Sequence, residues 1–224
     1  FQGLRTRRCS RPRWTGVSMY QLPSRKKQLQ RCDGHPLSDG SCLAPAPTVR
    51  CAGEPRFRTR SVRDAGCLLD VDPGVLSWRC GATPLCNGDR TFVPDFEVTR
   101  ETTVELVAVT EDRGSVPDWA IASALAQGRS LVGLSTSELV GVRLENAREL
   151  LRYASCRVSL SDRVRLLAAL DQEGSLTMAE AMTTIRNGAD PIAAIAALCL
   201  HRFIEIDLDS GRIGPQTRVA PFRG

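Results

Sequence analysis

Apolar and polar residues follow helical and strand periods from about residue 60 onwards. Arg60–Val71 carries apolar residues at helical spacing, and Asp72-Pro73-Gly74 predicts its end. Asp118 is expected to cap the next helix. The further elements predicted in this part are strands at Val75–Arg79, Pro84–Cys86, Thr91–Val98, Val104–Val109 and Ser130–Leu134, and helices at Trp119–Gln127 and Leu144–Ala154. This order predicts an α/β unit that ends near Cys156.

Residues 157–224 follow a different pattern. Three short helices are predicted there, and two alternating segments after them predict a hairpin. These elements are the helices Arg163–Leu170, Met178–Ile185 and Ile192–His201 and the strands Phe203–Leu208 and Arg212–Val219. Three helices followed by a hairpin is the order of a winged helix. The third helix is almost wholly apolar, which is typical of a buried or partner-facing helix, and a winged helix that binds a protein and one that reads DNA both stay open.

The amino-terminal third is basic and shows little periodicity. Residues 1–63 contain 14 Lys and Arg against 3 Asp and Glu, a balance of +11, whereas the whole chain is +5 and residues 64–224 therefore balance at −6. Such a segment is typical of phosphate binding. The candidate DNA contacts are Arg25, Lys26, Lys27, Arg56, Arg58 and Arg60. We therefore predict a basic, partly irregular arm at 1–59, an α/β domain at 60–156 and a winged helix at 157–224.

The nine cysteines do not predict a disulfide framework, because their number is odd and no CxxC pair occurs. Cys32, His35, Cys42 and Cys51 are a candidate zinc set, although their spacing matches no standard zinc pattern. Cys67, Cys156 and Cys199 lie in apolar runs and are expected to be small core residues.

The two central strands carry the candidate chemistry. Pro94-Asp95-Phe96 opens one strand, and the next strand contains Leu106–Thr110, LVAVT. This pair resembles the core of metal-dependent nucleases of the PD-(D/E)xK type. The resemblance implies that Asp95 holds Mg²⁺, with an acidic residue and a lysine two positions apart on one face of the second strand. Ala108 and Thr110 stand where that acid and that lysine are expected.

Four segments in order resemble the TnsA-like endonuclease family, and together they span about residues 60–219. They are Leu68–Trp78, Pro84–Phe96, Asn146–Tyr153 and Phe203–Val219. The resemblance implies a restriction-endonuclease-like mixed sheet with flanking helices, followed by a winged helix. It also implies three catalytic elements: Asp95 matches the second, Asp64 lies near the position of the first, and Glu105 is a displaced candidate for the third, which still lacks a lysine.

Loss of the acid and the lysine predicts weak Mg²⁺ binding and a poorly placed water. Removing one positioned electrostatic group commonly lowers a rate by about 10²–10³-fold. The preferred hypothesis is therefore a double-stranded DNA-binding protein that does not cut, requires no cofactor and acts in regulation or in a mobile-element complex.

Two alternatives stay open. One is an active Mg²⁺-dependent endonuclease with a migrated catalytic residue. The other is a scaffold without DNA binding, which would form a homodimer through Ile192–Leu200 or bind a transposase or regulatory protein. No apolar run of 18 residues and no signal-like segment occurs, so the expected location is the bacterial cytoplasm, in association with the nucleoid.

Overall fold

The computed structural model of the chain describes residues 47–188 and 190–223, and these residues form an α/β fold. The helices are α1 (Arg60–Val71), α2 (Asp118–Ala126), α3 (Val142–Leu151), α4 (Leu160–Glu173), α5 (Met178–Thr184) and α6 (Pro191–Leu200). The strands are β1 (Ser77–Cys80), β2 (Leu85–Asn87), β3 (Arg90–Phe92), β4 (Phe96–Thr99), β5 (Val104–Thr110), β6 (Ser130–Ser135), β7 (Leu176–Thr177), β8 (Ile204–Ile206) and β9 (Arg218–Pro221). Among the described helices, none combines the length and the apolar character that crossing a membrane requires.

The central sheet is mixed, with four strands in the order β1-β4-β5-β6. The first two pairings are antiparallel, and β5 runs parallel to β6 after the crossover through α2. Phe96 lies opposite Val107, and Ala108 lies opposite Gly133. Helices flank this sheet, as the sequence predicts.

Alternate residues of β5 enter two separate apolar clusters, because side chains of a strand point to opposite faces. Val107 and Val109 pack in the cluster that contains Phe57 and Trp78. Leu106 and Ala108 pack in the cluster formed with α2 and the β2–β3 hairpin. The strand is therefore covered on both faces.

Two local predictions need correction. Thr91–Val98 is not one strand: β3 pairs with β2 in a separate two-stranded sheet, and β4 starts only at Phe96. Pro94 lies in the break and has no N–H to donate to a ladder. Asp118 is the first residue of α2 rather than its cap, since Pro117 takes the extended capping conformation.

The carboxy-terminal helices begin at clear capping signals. Ser159 accepts a hydrogen bond from the N–H of Asp162, and Thr177 forms a capping box with Glu180. β8 and β9 pair antiparallel as the predicted hairpin requires, and β7 joins them in a three-stranded antiparallel sheet. The second strand covers only Arg218–Pro221, so most of the strand predicted at Arg212–Val219 is not a strand.

Helix α6 is buried in the core of the chain itself. Seven of its ten residues are buried, and Ile195 is fully inaccessible. Its apolar cluster also includes Cys67 of α1 and Leu150 of α3. Helix α6 is therefore buried, and Ile192, 44% exposed, is its one exposed large apolar side chain. The homodimer expected through Ile192–Leu200 would have to use residues that the chain already covers.

Candidate functional site

Arg58 is held in a turn between two anchored neighbours. Phe57 is fully buried and packs on Trp78 with ring centroids 6.2 Å apart. A β-carbon at Gly66 would lie 3.0 Å from the Phe57 ring, so this glycine allows the ring to lie close to α1. Thr59 caps α1 by accepting a hydrogen bond from the N–H of Val62. The backbone of Arg58 is thus fixed on both sides.

The guanidinium of Arg58 forms a two-point ion pair with Asp95 at the start of β4. Its Nε and Nη2 donate to the two carboxylate oxygens of Asp95 at 2.5 and 3.0 Å. Asp95 Oδ2 also accepts the backbone N–H of Val109 at 2.8 Å, and Arg58 Nη2 donates to the carbonyl of Val109 at 3.1 Å. The pair therefore connects the start of β4 to the end of β5.

The two side chains of this ion pair differ strongly in solvent exposure. The side chain of Asp95 is 4% exposed, whereas that of Arg58 is 60% exposed. The hydrogen bond with Asp95 is the main cause that raises the pKa of the Arg58 guanidinium. Asp95 is thus a buried carboxylate whose oxygens are already used by protein donors, and Arg58 presents a positive charge to solvent.

Ala108, which stands where the nuclease resemblance expects an acid, lies inside the protein. It is 2% exposed and belongs to the cluster that contains Ala120 and Ala124 of α2. Thr110 is half-buried, and its hydroxyl donates to the carbonyl of Asp112 at 2.7 Å. The face of β5 that carries Ala108 is therefore filled by α2.

Asp64 and Glu105 have partners of their own. Asp64 is buried on α1 and lies 2.6 Å from Arg148 Nη2 on α3. Glu105 accepts from Arg100 Nε at 2.8 Å near the start of β5. Glu105 lies four residues, about 13 Å along the strand, from Val109, the residue whose N–H binds Asp95.

Each of the three predicted catalytic carboxylates pairs with a different arginine. Within residues 47–188 and 190–223, no group of three His, Cys, Asp or Glu residues lies together in a way that could hold a metal ion. Mg²⁺ in catalytic sites is usually held by one or two carboxylates together with substrate phosphates, and here both oxygens of Asp95 already accept hydrogen bonds from Arg58 and Val109.

The predicted DNA contacts are only partly covered by the structure. Arg25, Lys26 and Lys27 lie outside the described residues. Arg56 is exposed and pairs with Glu54 at 2.7 Å, and Arg60 is exposed at the first position of α1. Together with Arg58, these side chains place basic groups around the start of α1.

Of the candidate zinc set, only Cys51 lies within the described residues. It bridges to Trp78 through the backbone. Burial, followed by the neighbouring Cys80, raises the pKa of the Cys51 thiol to about 11. Cys32, His35 and Cys42 lie outside the described residues.

Sequence reasoning missed a second polar cluster, where the ends of α1 and α6 meet. Arg50, Asp70 and Arg202 line a cavity of about 200 Å³ there. Arg50 donates to the carbonyls of Asp70 and Leu200, and Arg202 donates to those of Asp72 and Pro73. These arginines satisfy carbonyls at and just beyond the helix ends.

Arg202 has an unusual backbone conformation just after the end of α6. It takes the left-handed conformation at φ 60°, which follows the end of α6 and favours glycine. Burial, followed by the charge of Arg202, lowers the pKa of Arg50. The sequence alone gives no sign that these two arginines lie close together.

No family model matches the chain, and no curated protein matches it.

Proposed function

We propose that the chain is a DNA-binding protein that uses a nuclease-like sheet and a basic amino-terminal segment to hold duplex DNA without cutting it. The pairing of Asp95 with Arg58 is the observation that carries the proposal. A guanidinium occupies the carboxylate that the nuclease resemblance assigns to Mg²⁺. The position then contributes positive charge toward DNA instead of a metal ligand.

The charge distribution supports this function. The balance of +11 over residues 1–63 provides attraction to phosphate that does not depend on base sequence. Arg56, Arg58 and Arg60 extend that charge onto the start of α1. We expect strong salt dependence and little sequence preference, because phosphate contacts carry no base information.

The carboxy-terminal helices and their three-stranded sheet fit a winged helix that packs rather than reads DNA. Burial of α6 supports this assignment, because a recognition helix must offer polar side chains to the major groove. The proposed setting is the cytoplasm, on the nucleoid, in regulation or in a mobile-element complex with a transposase or regulatory partner.

A variant that neutralises the six candidate contacts tests the proposal. Arg25, Lys26, Lys27, Arg56, Arg58 and Arg60 would each be changed to Gln, and affinity for a labelled duplex would be measured at several salt concentrations. We expect an affinity loss of about 10³-fold or more and a shallower salt slope. A control variant carries the same number of Arg→Gln changes in the carboxy-terminal half of the chain, and it should bind nearly as the unmodified chain does. Its changes are at Arg143, Arg152, Arg157, Arg163, Arg212 and Arg223. Unchanged affinity in the first variant would reject the function.

A further inference from the structure

We propose that Asp95 is a positioning residue for DNA binding: it holds Arg58 so that the free part of its guanidinium contacts a backbone phosphate. This inference rests on the proposed function and gives Asp95 a role opposite to that of a metal ligand. It also predicts that a buried negative charge strengthens the binding of a polyanion.

The geometry leaves one side of the guanidinium available. Arg58 uses Nε and Nη2 on Asp95 and on the carbonyl of Val109. Its Nη1 makes no hydrogen bond within the described part of the chain, and the side chain is 60% exposed. A guanidinium has five N–H donors in a planar fork, so an arginine held on one edge still offers donors on the other.

Anchoring reduces the entropy that Arg58 loses when it binds. A free arginine side chain has many rotamers and loses that freedom when it binds. The fixed backbone between Phe57 and Thr59 and the two-point pair with Asp95 remove much of that freedom before DNA arrives. Preorganised contacts of this kind bind more tightly than mobile ones.

The ligand class follows from the donor and its surroundings. A planar arginine fork matches the oxygens of a phosphodiester, and its charge is held at the ends of the two central strands, beside Asp95 and Val109, rather than at the tip of a mobile chain. The expected contact is therefore a single backbone phosphate of duplex DNA.

Charge removal distinguishes positioning from simple electrostatics. Removing any acidic residue beside bound DNA should tighten binding, because it removes repulsion. Asp112 is a matched control, since it lies three residues beyond Val109, is exposed and makes no capping hydrogen bond through its side chain. Removal of the Asp95 charge should therefore weaken DNA binding, whereas removal of the Asp112 charge should leave it unchanged or tighten it.

The test is a binding cycle on the full chain with a labelled duplex, using Asp95→Asn, Arg58→Ala, the double variant and Asp112→Asn. Asp95→Asn is expected to weaken binding by roughly 3- to 10-fold, while Asp112→Asn leaves it unchanged or tighter. In the Arg58→Ala background, Asp95→Asn should no longer weaken binding and should leave it unchanged or tighter, because the residue through which Asp95 acts is gone and only its repulsion of phosphate is left. Arg58→Ala should lower the salt slope by about 0.9, the value for one phosphate.

Arg58→Lys provides a second variant if Asp95→Asn does not fold. It keeps the charge and cannot keep the two-point pair, so it should also weaken binding by roughly 3- to 10-fold. Tighter or equal binding by Asp95→Asn, or by Arg58→Lys where that variant stands in, overturns this inference alone. A weakening by Asp95→Asn that persists in the Arg58→Ala background also overturns it. If the unmodified chain does not bind the duplex at low salt, the proposed function fails and this inference fails with it.

Discussion

The carboxylate of Asp70 accepts a 2.9 Å hydrogen bond from the indole Nε1 of Trp78, and both side chains are buried. The same oxygen accepts the backbone N–H groups of Arg50 and Val49 at 2.8 and 3.3 Å. The backbone of Trp78 pairs in turn with Arg50 and Ala52. This connection fastens residues 49–52 to α1 and β1.

Replacing Asp70 should therefore destabilise the fold strongly. Asp70→Ala leaves three donors without their acceptor, and we expect a loss of about 2–4 kcal/mol in the free energy of unfolding. Trp78→Phe removes one of those donors and should cost less, about 1–2 kcal/mol. Urea denaturation of the two variants checks the order. Asp70→Ala with the stability of the unmodified chain would contradict the role of this connection.

Asp162 should make stability depend on pH. Its carboxylate accepts the N–H groups of Arg186 and Asn187 at 2.8 and 3.2 Å and the hydroxyl of Ser159 at 2.7 Å. The bond from Arg186 is the main cause that holds the pKa of Asp162 well below its usual range. Because the folded pKa lies below the unfolded value of about 3.9, this stabilisation is complete above that value and is lost as pH falls through the folded pKa.

The corresponding variant is Asp162→Asn. It should be less stable than the unmodified chain by the same amount at pH 7 and pH 5, and by a smaller amount at pH 3. Asp171→Asn, at an exposed position of the same helix, should show little difference at any pH. An Asp162→Asn deficit at pH 3 as large as that at pH 7 would contradict the hydrogen-bonded carboxylate.

Ala108 should not accept the acid that the nuclease resemblance expects. Ala108→Glu forces a larger, charged side chain between β5 and α2, and we expect a loss of about 3–5 kcal/mol. Thr110→Lys should change stability by about 1 kcal/mol or less, since Thr110 is half-buried. Thermal unfolding of both variants measures the contrast. A stable Ala108→Glu chain that nicks plasmid with Mg²⁺ would contradict it.

Helix α6 gives a test of the carboxy-terminal core. Ile195 is fully buried, so Ile195→Ala should cost about 2–5 kcal/mol. Ile192 begins the same helix and is 44% exposed, so Ile192→Ala should cost about 1 kcal/mol or less. Denaturation midpoints give the comparison. Equal small losses would indicate that α6 faces solvent or a partner instead of the core.

The sequence predicts those features that depend on neighbouring residues. The capping box of Thr177 and Glu180 and the Asp190-Pro191 start of α6 are local signals, and both helices begin where they indicate. The apolar run of β5 is equally local. Pro94 shows the limit of that method, since apolar residues on both sides suggest one strand although the proline interrupts the ladder.

The site depends on distant contacts and was less predictable. Arg58 and Asp95 are 37 residues apart, and no local pattern indicates which carboxylate a given arginine will meet. Arg148 reaches Asp64 only because α1 packs on α3. The sequence could therefore show that Ala108 and Thr110 depart from the nuclease pattern. It could not show that each of the three candidate carboxylates is paired with its own arginine.

The most direct measurement is a gel shift of the unmodified chain on a labelled duplex, across a salt series, with and without Mg²⁺. We predict binding that weakens steeply with salt, with intact DNA in every lane. Absence of a shift at low salt would contradict DNA binding. Shortened DNA in the Mg²⁺ lanes would contradict a site in which Arg58 takes the place of the metal.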